Sequence, residues 1–334
     1  MTTHRAEAIV DLDALASNIA LLKKAAQTDL LAVVKADAYG HGLVHTAEAA
    51  IKAGATWLGV ALLEEAISLR THGLSAPIIS WLAPPGSDFE SALRHEIDLG
   101  VSSIKAYEEI VTAGKITGIK PRIHIEVDTG MTRGGFLDEW QQFLRSDFSH
   151  VEVVGLFSHF ARADEPGEKQ NKEQLNKFLA MRQQLVDVGV TPQISHLSNS
   201  AATLADHDSA FDLVRTGIAM YGLHPDVSTL RNEELKPVMQ LRAKLHLVKK
   251  VPAGSPVGYG ATAVTTKETK LGVVALGYAD GVPRVAQGVG VFVNGRRAPL
   301  IGRVSMDQFV VDLGSDSPAQ SGDWVTVFGS GNVG

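Results

Sequence analysis

A lysine placed directly after an apolar run is the first residue in this chain equipped for chemistry. Leu31-Ala32-Val33-Val34 leads into Lys35-Ala36-Asp37-Ala38-Tyr39-Gly40-His41-Gly42. An unpaired ammonium is costly to bury against such a run. Desolvation lowers its proton affinity and leaves a neutral amine, the form that Schiff-base chemistry requires. A solvated strand-end lysine is the plainer reading of the same position. The second candidate is Tyr259, in Gly258-Tyr259-Gly260-Ala261-Thr262. Flanking glycines let the backbone approach a ligand and leave the phenol exposed; a tyrosine in a glycine-rich hairpin is the alternative. Arg215 sits in Leu213-Val214-Arg215-Thr216-Gly217-Ile218, as a cation that keeps its proton or as a barrel-end ion pair. Ser200 precedes Ala201-Ala202-Thr203-Leu204 and reads as a helix N-cap, and a helix N-terminus is a ready phosphate site.

These residues need elements to hold them. Eight short Val/Ile-rich segments read as strands: Leu30–Ala36, Trp57–Ala61, Pro77–Trp81, Asp98–Val101, Arg122–Val127, Val153–His159, Gln193–His196 and Leu213–Arg215. Helical patterns fall between them at Glu48–Ala53, Glu64–His72, Tyr107–Thr117, Glu139–Arg145, Lys172–Val188 and 201–206. Leu15–Lys24 precedes the first strand, with Asp13 as its expected N-cap. Alternation of this kind predicts a parallel sheet and, with eight units, a TIM-like (β/α)8 barrel. Barrel enzymes carry their sites at the C-terminal ends of the strands. Lys35, Asp128 to Arg133, His159, Asn199 with Ser200, and Arg215 all fall at such ends.

After about residue 230 the pattern changes. Gln240–Val248 alternates, Val291-Phe292-Val293 runs into the hairpin signal Asn294-Gly295, and Phe309–Leu313 and Trp324–Phe328 read as strands. The expected architecture is an α/β barrel over 1–230 followed by a mainly antiparallel β domain over 231–334. The polar stretch His224–Lys236 is the linker, and the first ten residues are free to pack with the β domain.

Composition narrows the classes. The 334 residues carry a net charge of −6, no cysteine, and 45% hydrophobic residues. Disulfides, thiol catalysis and Cys-ligated zinc are excluded, and no metal ligation is assigned. The mild acidity and scattered basic residues argue against a nucleic-acid partner. No apolar run reaches the length of a membrane span, and no signal-peptide core opens the chain, so a cytoplasmic location is the default expectation.

The string Val34 to Gly42 closely resembles the pyridoxal-phosphate attachment motif of bacterial alanine racemases, and the resemblance extends over nearly the whole chain. It implies that pyridoxal 5'-phosphate is the cofactor, attached at Lys35. It also implies that Lys35 and Tyr259 are bases on opposite faces of the substrate carbon, Tyr259 coming from the second subunit of a homodimer. The resemblance further assigns Tyr39, Asn199, Ser200, Gly217 and Ile218 to cofactor binding, mainly at the phosphate. His159 packs on the ring, and Arg215 faces the ring nitrogen. Arg133, Met306 and Tyr278 are the implied substrate-binding residues, the last two across the subunit interface. The implied reaction is interconversion of L- and D-alanine, supplying D-alanine for peptidoglycan.

Two features depart from the family pattern. Glu126 stands where many members carry a lysine, often carbamylated, and it preserves negative charge near Arg133. The chain also reaches Gly331-Asn332-Val333-Gly334 before the family's last β segment and its phosphate-binding tyrosine, which implies a truncated β domain. Three other readings stay open: a racemase of broader range, a non-catalytic pyridoxal-phosphate carrier barrel, and a barrel-plus-β decarboxylase. Carriers lack the β domain, and the decarboxylases use a catalytic cysteine that is missing here.

Overall fold

A computed structural model describes residues 4–165, 167–205, 208–225, 235–286 and 288–329. The chain forms two compact units: residues 12–236, and residues 1–11 together with 237–334. Most of the expected linker, Asp206 and the terminal 331–334 segment lie outside the described residues.

The larger unit is built on eight parallel strands: β2 (Asp29–Val33), β3 (Trp57–Val60), β4 (Ile78–Ser80), β5 (Asp98–Val101), β6 (Arg122–Glu126), β7 (Glu152–Phe157), β8 (Ile194–His196) and β9 (Leu213–Thr216). Their order is β8-β7-β6-β5-β4-β3-β2-β9. Asp212 N donates to Ser195 O (3.2 Å) and Arg215 N to Ser198 O (2.9 Å), which draws the two edge strands together. The barrel is therefore nearly closed. The central strands are covered on both faces, as in other parallel sheets, and Leu30 to Val34 are accordingly buried.

The helices follow ordinary capping logic. Leu15, Ile19, Leu22 and Ala26 form the buried stripe of Leu12–Ala26, and Lys23 and Lys24 occupy its last turn, where cations suit the helix dipole. The Ser103 hydroxyl caps Ile104–Thr117 by accepting from Ala106 N (3.3 Å), and Gly118 ends that helix at φ 71°. Several sequence expectations shift. Asp13 lies inside the first turn rather than at the cap, because the helix already begins at Leu12. The first barrel strand stops at Val33, not Ala36. The helix Phe89–Arg94, capped by Asp88, was not anticipated.

The smaller unit joins β1 (Ala6–Val10) to β10 (Met239–Val251) in antiparallel register. The sheet continues through β13 (Thr269–Val274), β14 (Gly290–Val293), β15 (Arg296–Pro299), β16 (Phe309–Asp312) and β17 (Trp324–Phe328), in the order β15-β14-β17-β10-β13-β16. Ala243, Leu245, Val274, Val291, Phe309, Val311 and Val325 are among its core residues. Asn294 (φ 49°) and Gly295 (φ 76°) make the β14–β15 turn, as a two-residue hairpin of this twist requires. A two-stranded ribbon, β11 (Pro256–Val257) with β12 (Ala263–Val264), carries Tyr259 on its connection.

Candidate active site

Beyond β2 the chain does something the sequence does not announce. Ala36, Asp37, Ala38 and Tyr39 all adopt left-handed backbone, with φ between 53° and 56°. For residues bearing a Cβ this costs about 1–2 kcal/mol each, so the turn persists only because its surroundings hold it. The Glu65 carboxylate accepts from Ala36 N (2.6 Å), Ala61 N (3.0 Å) and Leu62 N (3.0 Å). Asp37 Oδ1 accepts from Leu43 N (2.7 Å), and Ala38 N donates to Val34 O (2.8 Å). Tyr221 donates to Val33 O (3.0 Å), and its ring packs against those of Tyr39 and His41. Lys35 thus leaves the strand end in a fixed direction.

Lys35 opens into a cavity of about 330 Å³ lined by Tyr39, Glu126, Arg133, His159, Asn199, Ser200, Arg215, Gly217 and Ile218, with Trp81 and Phe157 on its walls. Burial, with help from the Arg133 cation, moves the Lys35 amine below the usual lysine range; Glu65 opposes this. Its neutral fraction at a given pH is raised accordingly.

Arg215 is held by acceptors. Nη1 donates to His196 O (2.7 Å) and His196 Nδ1 (3.1 Å). Nη2 donates to Ser158 O (2.6 Å), Leu197 O (3.2 Å) and His159 Nδ1 (3.2 Å). Burial lowers its proton affinity to about 10, against the pull of Glu126, so it stays a cation at neutral pH. His159 is driven down to about 3 by burial and by the cations Arg215, Arg133 and Lys35. It is a neutral ring whose Nδ1 lone pair faces Arg215.

Elsewhere on the cavity wall, hydroxyls and backbone amides gather. Ser200 Oγ lies 3.0 Å from Gly217 N and 3.4 Å from Ala219 N. A Cβ placed on Gly217 would fall 2.6 Å from the Tyr39 hydroxyl, so glycine is needed for these two segments to meet. The cluster of hydroxyls and amides suits a phosphate. Ser200 is not the helix cap expected from the sequence. Asn199 caps Ser200–Ala205, its Oδ1 accepting from Ala202 N (3.1 Å), and the Ser200 side chain is free to turn toward Gly217.

Arg133 is presented by the loop after β6. Asp128 Oδ1 gathers the amides of Gly130, Met131 and Thr132 at 2.8–3.1 Å, and Gln174 ties Thr129 Oγ1 (3.1 Å) to His159 O (2.9 Å). Glu126 makes no ion pair among the described residues. Burial raises its carboxyl above the usual range, while Arg215 and Arg133 oppose that rise.

Tyr259, Tyr278 and Met306 belong to the smaller unit. All three are exposed, Tyr259 at 66%. Tyr278 N donates to Ser305 O (3.0 Å) and Ala279 N to Met306 O (2.9 Å). A Cβ on Gly277 would fall 2.2 Å from Met306 O, so these two loops are seated together. Arg303 connects them to the third residue, its Nη1 lying 3.3 Å from where a Cβ on Gly260 would stand. Sequence reasoning missed Trp81 and Glu65. Trp81 had a visible signal, an aromatic at a strand end; Glu65 had none, because its partners are backbone amides from two other segments.

A near-closed barrel with a partly desolvated lysine at one strand end, sharing its cavity with a buried arginine, a neutral histidine and a cluster of hydroxyls and amides, defines a lysine-dependent barrel enzyme. Comparison with known proteins sharpens that class. The alanine racemase N-terminal domain family matches residues 10–225, and the alanine racemase C-terminal domain family matches residues 238–334. An alanine racemase of Salinispora tropica is 45% identical over 99% of this chain and 90% of its own length. The crystal structure of alanine racemase from a D-cycloserine-producing Streptomyces lavendulae superposes with a TM-score of 0.95 at 42% identity, covering 99% of this chain and 89% of that one. The structure from Bartonella henselae, with covalently bound pyridoxal phosphate, gives 0.90 at 31% identity, covering 98% and 91%. The chain belongs to the alanine racemase family. No helix among the described residues is long and apolar enough to cross a membrane.

Proposed function

We propose that this enzyme interconverts L- and D-alanine with pyridoxal 5'-phosphate, using Lys35 and Tyr259 as bases on opposite faces of the substrate and taking Tyr259 from a second copy of the chain. The observation that carries the reading is Lys35, held at the head of a strained turn in a cavity whose lining it shares with Arg215 and with a cluster of hydroxyls and amides. Bound there, the cofactor supplies electron withdrawal that acidifies the substrate α-carbon. Lys35 would hold it, with Ser200, Gly217, Ile218 and Tyr39 around its phosphate, Asn199 beside them and His159 against the ring. Arg215, which cannot readily surrender its proton, would face the ring nitrogen and leave that nitrogen bare. This weakens electron withdrawal and disfavours transamination.

The proton work falls to this chain's own side chains. The Lys35 amine takes or returns the α-proton on one face, and its lowered proton affinity suits that task near neutrality. The Tyr259 phenol does the same on the other. Arg133 orients the substrate carboxylate, with Glu126 supplying negative charge behind it, and the Met306 amide and Tyr278 complete that end from the second copy. A homodimer follows from this division of labour, and D-alanine for peptidoglycan is the expected use of the product. The test is a chiral assay begun separately from D- and L-alanine on the wild type, Lys35→Ala and Tyr259→Phe. Both variants should lose turnover, with solvent isotope effects that differ by direction. A Tyr259→Phe enzyme as active as wild type in both directions would remove the second base.

A further inference from the structure

A line of hydrogen-bonding side chains runs through the barrel interior, from its foot to the site. At the foot, Arg122 Nε and Nη2 donate to Asp98 Oδ1 (2.8 Å) and Oδ2 (3.1 Å), and Nη1 reaches Glu152 Oε1 (3.1 Å). Asp98 Oδ2 lies 3.3 Å from His124 Nε2, and His124 Nδ1 lies 3.0 Å from His196 Nε2. His196 Nδ1 faces Arg215 Nη1 at 3.1 Å. Asp98, His124, His196 and Arg215 are all buried. Trp57 meets the His124 ring edge-on, and Phe157 stacks on His196 at 5.0 Å. Gly155 in β7 is part of the arrangement: a Cβ there would fall 2.1 Å from His124 Nδ1. Its backbone is not left-handed, so space alone demands glycine.

The two ends of this line have fixed roles. Arg215 can only donate, and Asp98, kept ionised by Arg122 and His124 despite its burial, can only accept. With two neutral imidazoles between them, one arrangement satisfies all three contacts. His196 has a bare Nδ1 and a protonated Nε2, and so does His124, so every hydrogen bond points from Arg215 toward Asp98. A second proton on either ring sets two donors face to face, an unsatisfied contact that is expensive in a dry interior.

We propose that Asp98 is a positioning residue for Arg215, acting through His124 and His196, whose tautomers it fixes so that a bare Nδ1 meets the guanidinium. The arginine is then held by carbonyls and ring nitrogens, with no carboxylate paired to it among the described residues. Its charge remains available to whatever enters the cavity. The catalytic consequence rests on the cofactor-facing role proposed for Arg215; the tautomers are a property of the protein itself.

The first measurement is therefore made on the wild-type apoprotein. Long-range ¹⁵N–¹H spectra of histidine-labelled protein should show His124 and His196 neutral and protonated on Nε2. A proton on His196 Nδ1 overturns the proposal, whatever the enzyme's activity. The second uses Asp98→Asn, which puts an amide donor into the Arg122–His124 contacts, and Gly155→Ala, which crowds His124 Nδ1. Both should move the ring ¹⁵N shifts. In the holoenzyme both should change the absorption of the bound cofactor, raise transamination relative to racemisation severalfold, and lower kcat far more than they change KM. Tyr107→Phe, which removes only the bond to Asp147 O (2.8 Å), serves as the destabilised control with wild-type spectra. Asp98→Asn and Gly155→Ala variants that lower Tm but keep wild-type tautomers, spectrum and reaction ratio would show the line to be structural only.

Discussion

The turn after β2 and the turn between β11 and β12 both present a candidate base beside left-handed backbone, and they do so by opposite means. Residues 36–39 carry side chains into a region that disfavours them, and Glu65, Asp37 and Tyr221 hold them there. Around Tyr259 two of the left-handed positions are glycines, Gly258 and Gly260, where the conformation is cheap. The Tyr259 hydroxyl has no hydrogen-bond partner among the described residues. One reactive group is aimed by its own unit; the other is displayed, awaiting something to aim it. That contrast is what a site completed by a second copy predicts.

The largest expected effects come from removing the proposed bases. Lys35→Ala and Tyr259→Phe should each cut turnover by about 10²–10⁴-fold, read by chiral chromatography in both directions. Of the two, only Lys35→Ala should also change the absorption of bound cofactor, since Tyr259 is given no part in its attachment. Arg215→Glu should raise transamination relative to racemisation, read by the pyruvate formed. An unchanged ratio would count against the bare ring nitrogen. Next comes the clamp: Glu65→Ala hands three amide contacts to water and should lower stability by about 1–2 kcal/mol, read by urea unfolding. A loss confined to the Lys35 side requires that Tyr259 stay as exposed as before.

Smaller effects test the two turns directly. Ala36→Gly should stabilise the protein by about 1 kcal/mol, because it relieves left-handed strain. Gly260→Ala should destabilise it by about the same amount, since the new Cβ meets both the strained φ of 72° and the Arg303 guanidinium. Equal signs for the two swaps would erase the distinction. The smallest effect concerns Glu126. Its raised carboxyl means that the folded state binds the proton more tightly than the unfolded state. Its stability contribution is therefore full at low pH and fades as pH rises through the folded value. Glu126→Gln should accordingly gain on the wild type as pH rises from about 4 to 8, measured as the difference in Tm, and should weaken alanine turnover if that charge orients Arg133.

Much of this was legible in the residues. The eight strands show as apolar runs because a closed parallel barrel buries both faces of each strand, and Asn294-Gly295 announces its hairpin because few residue pairs tolerate that turn. Lys35, Arg215 and Ser200 stand out as polar residues at apolar strand ends. The left-handed turn does not show, because nothing in Ala36-Asp37-Ala38-Tyr39 favours positive φ strongly and the groups enforcing it come from distant segments. The same holds for His124, which reads as an ordinary strand residue until β8 places His196 beside it. The capping roles of Asn199 and Ser200 were exchanged for a related reason: local pattern finds the helix start, while Gly217 decides which side chain is left to cap it.

The pairing of β1 with β10 has a consequence for how the protein is made. The first strand leaves the ribosome about two hundred residues before its partner, and at about 5–20 residues per second it waits ten seconds or more for that neighbour. Its partly exposed backbone must stay unpaired while the barrel segment is made. A nascent chain of this design must join two strands made far apart in time, and a stall in translation before β10 would leave a finished barrel segment trailing a sticky loose thread.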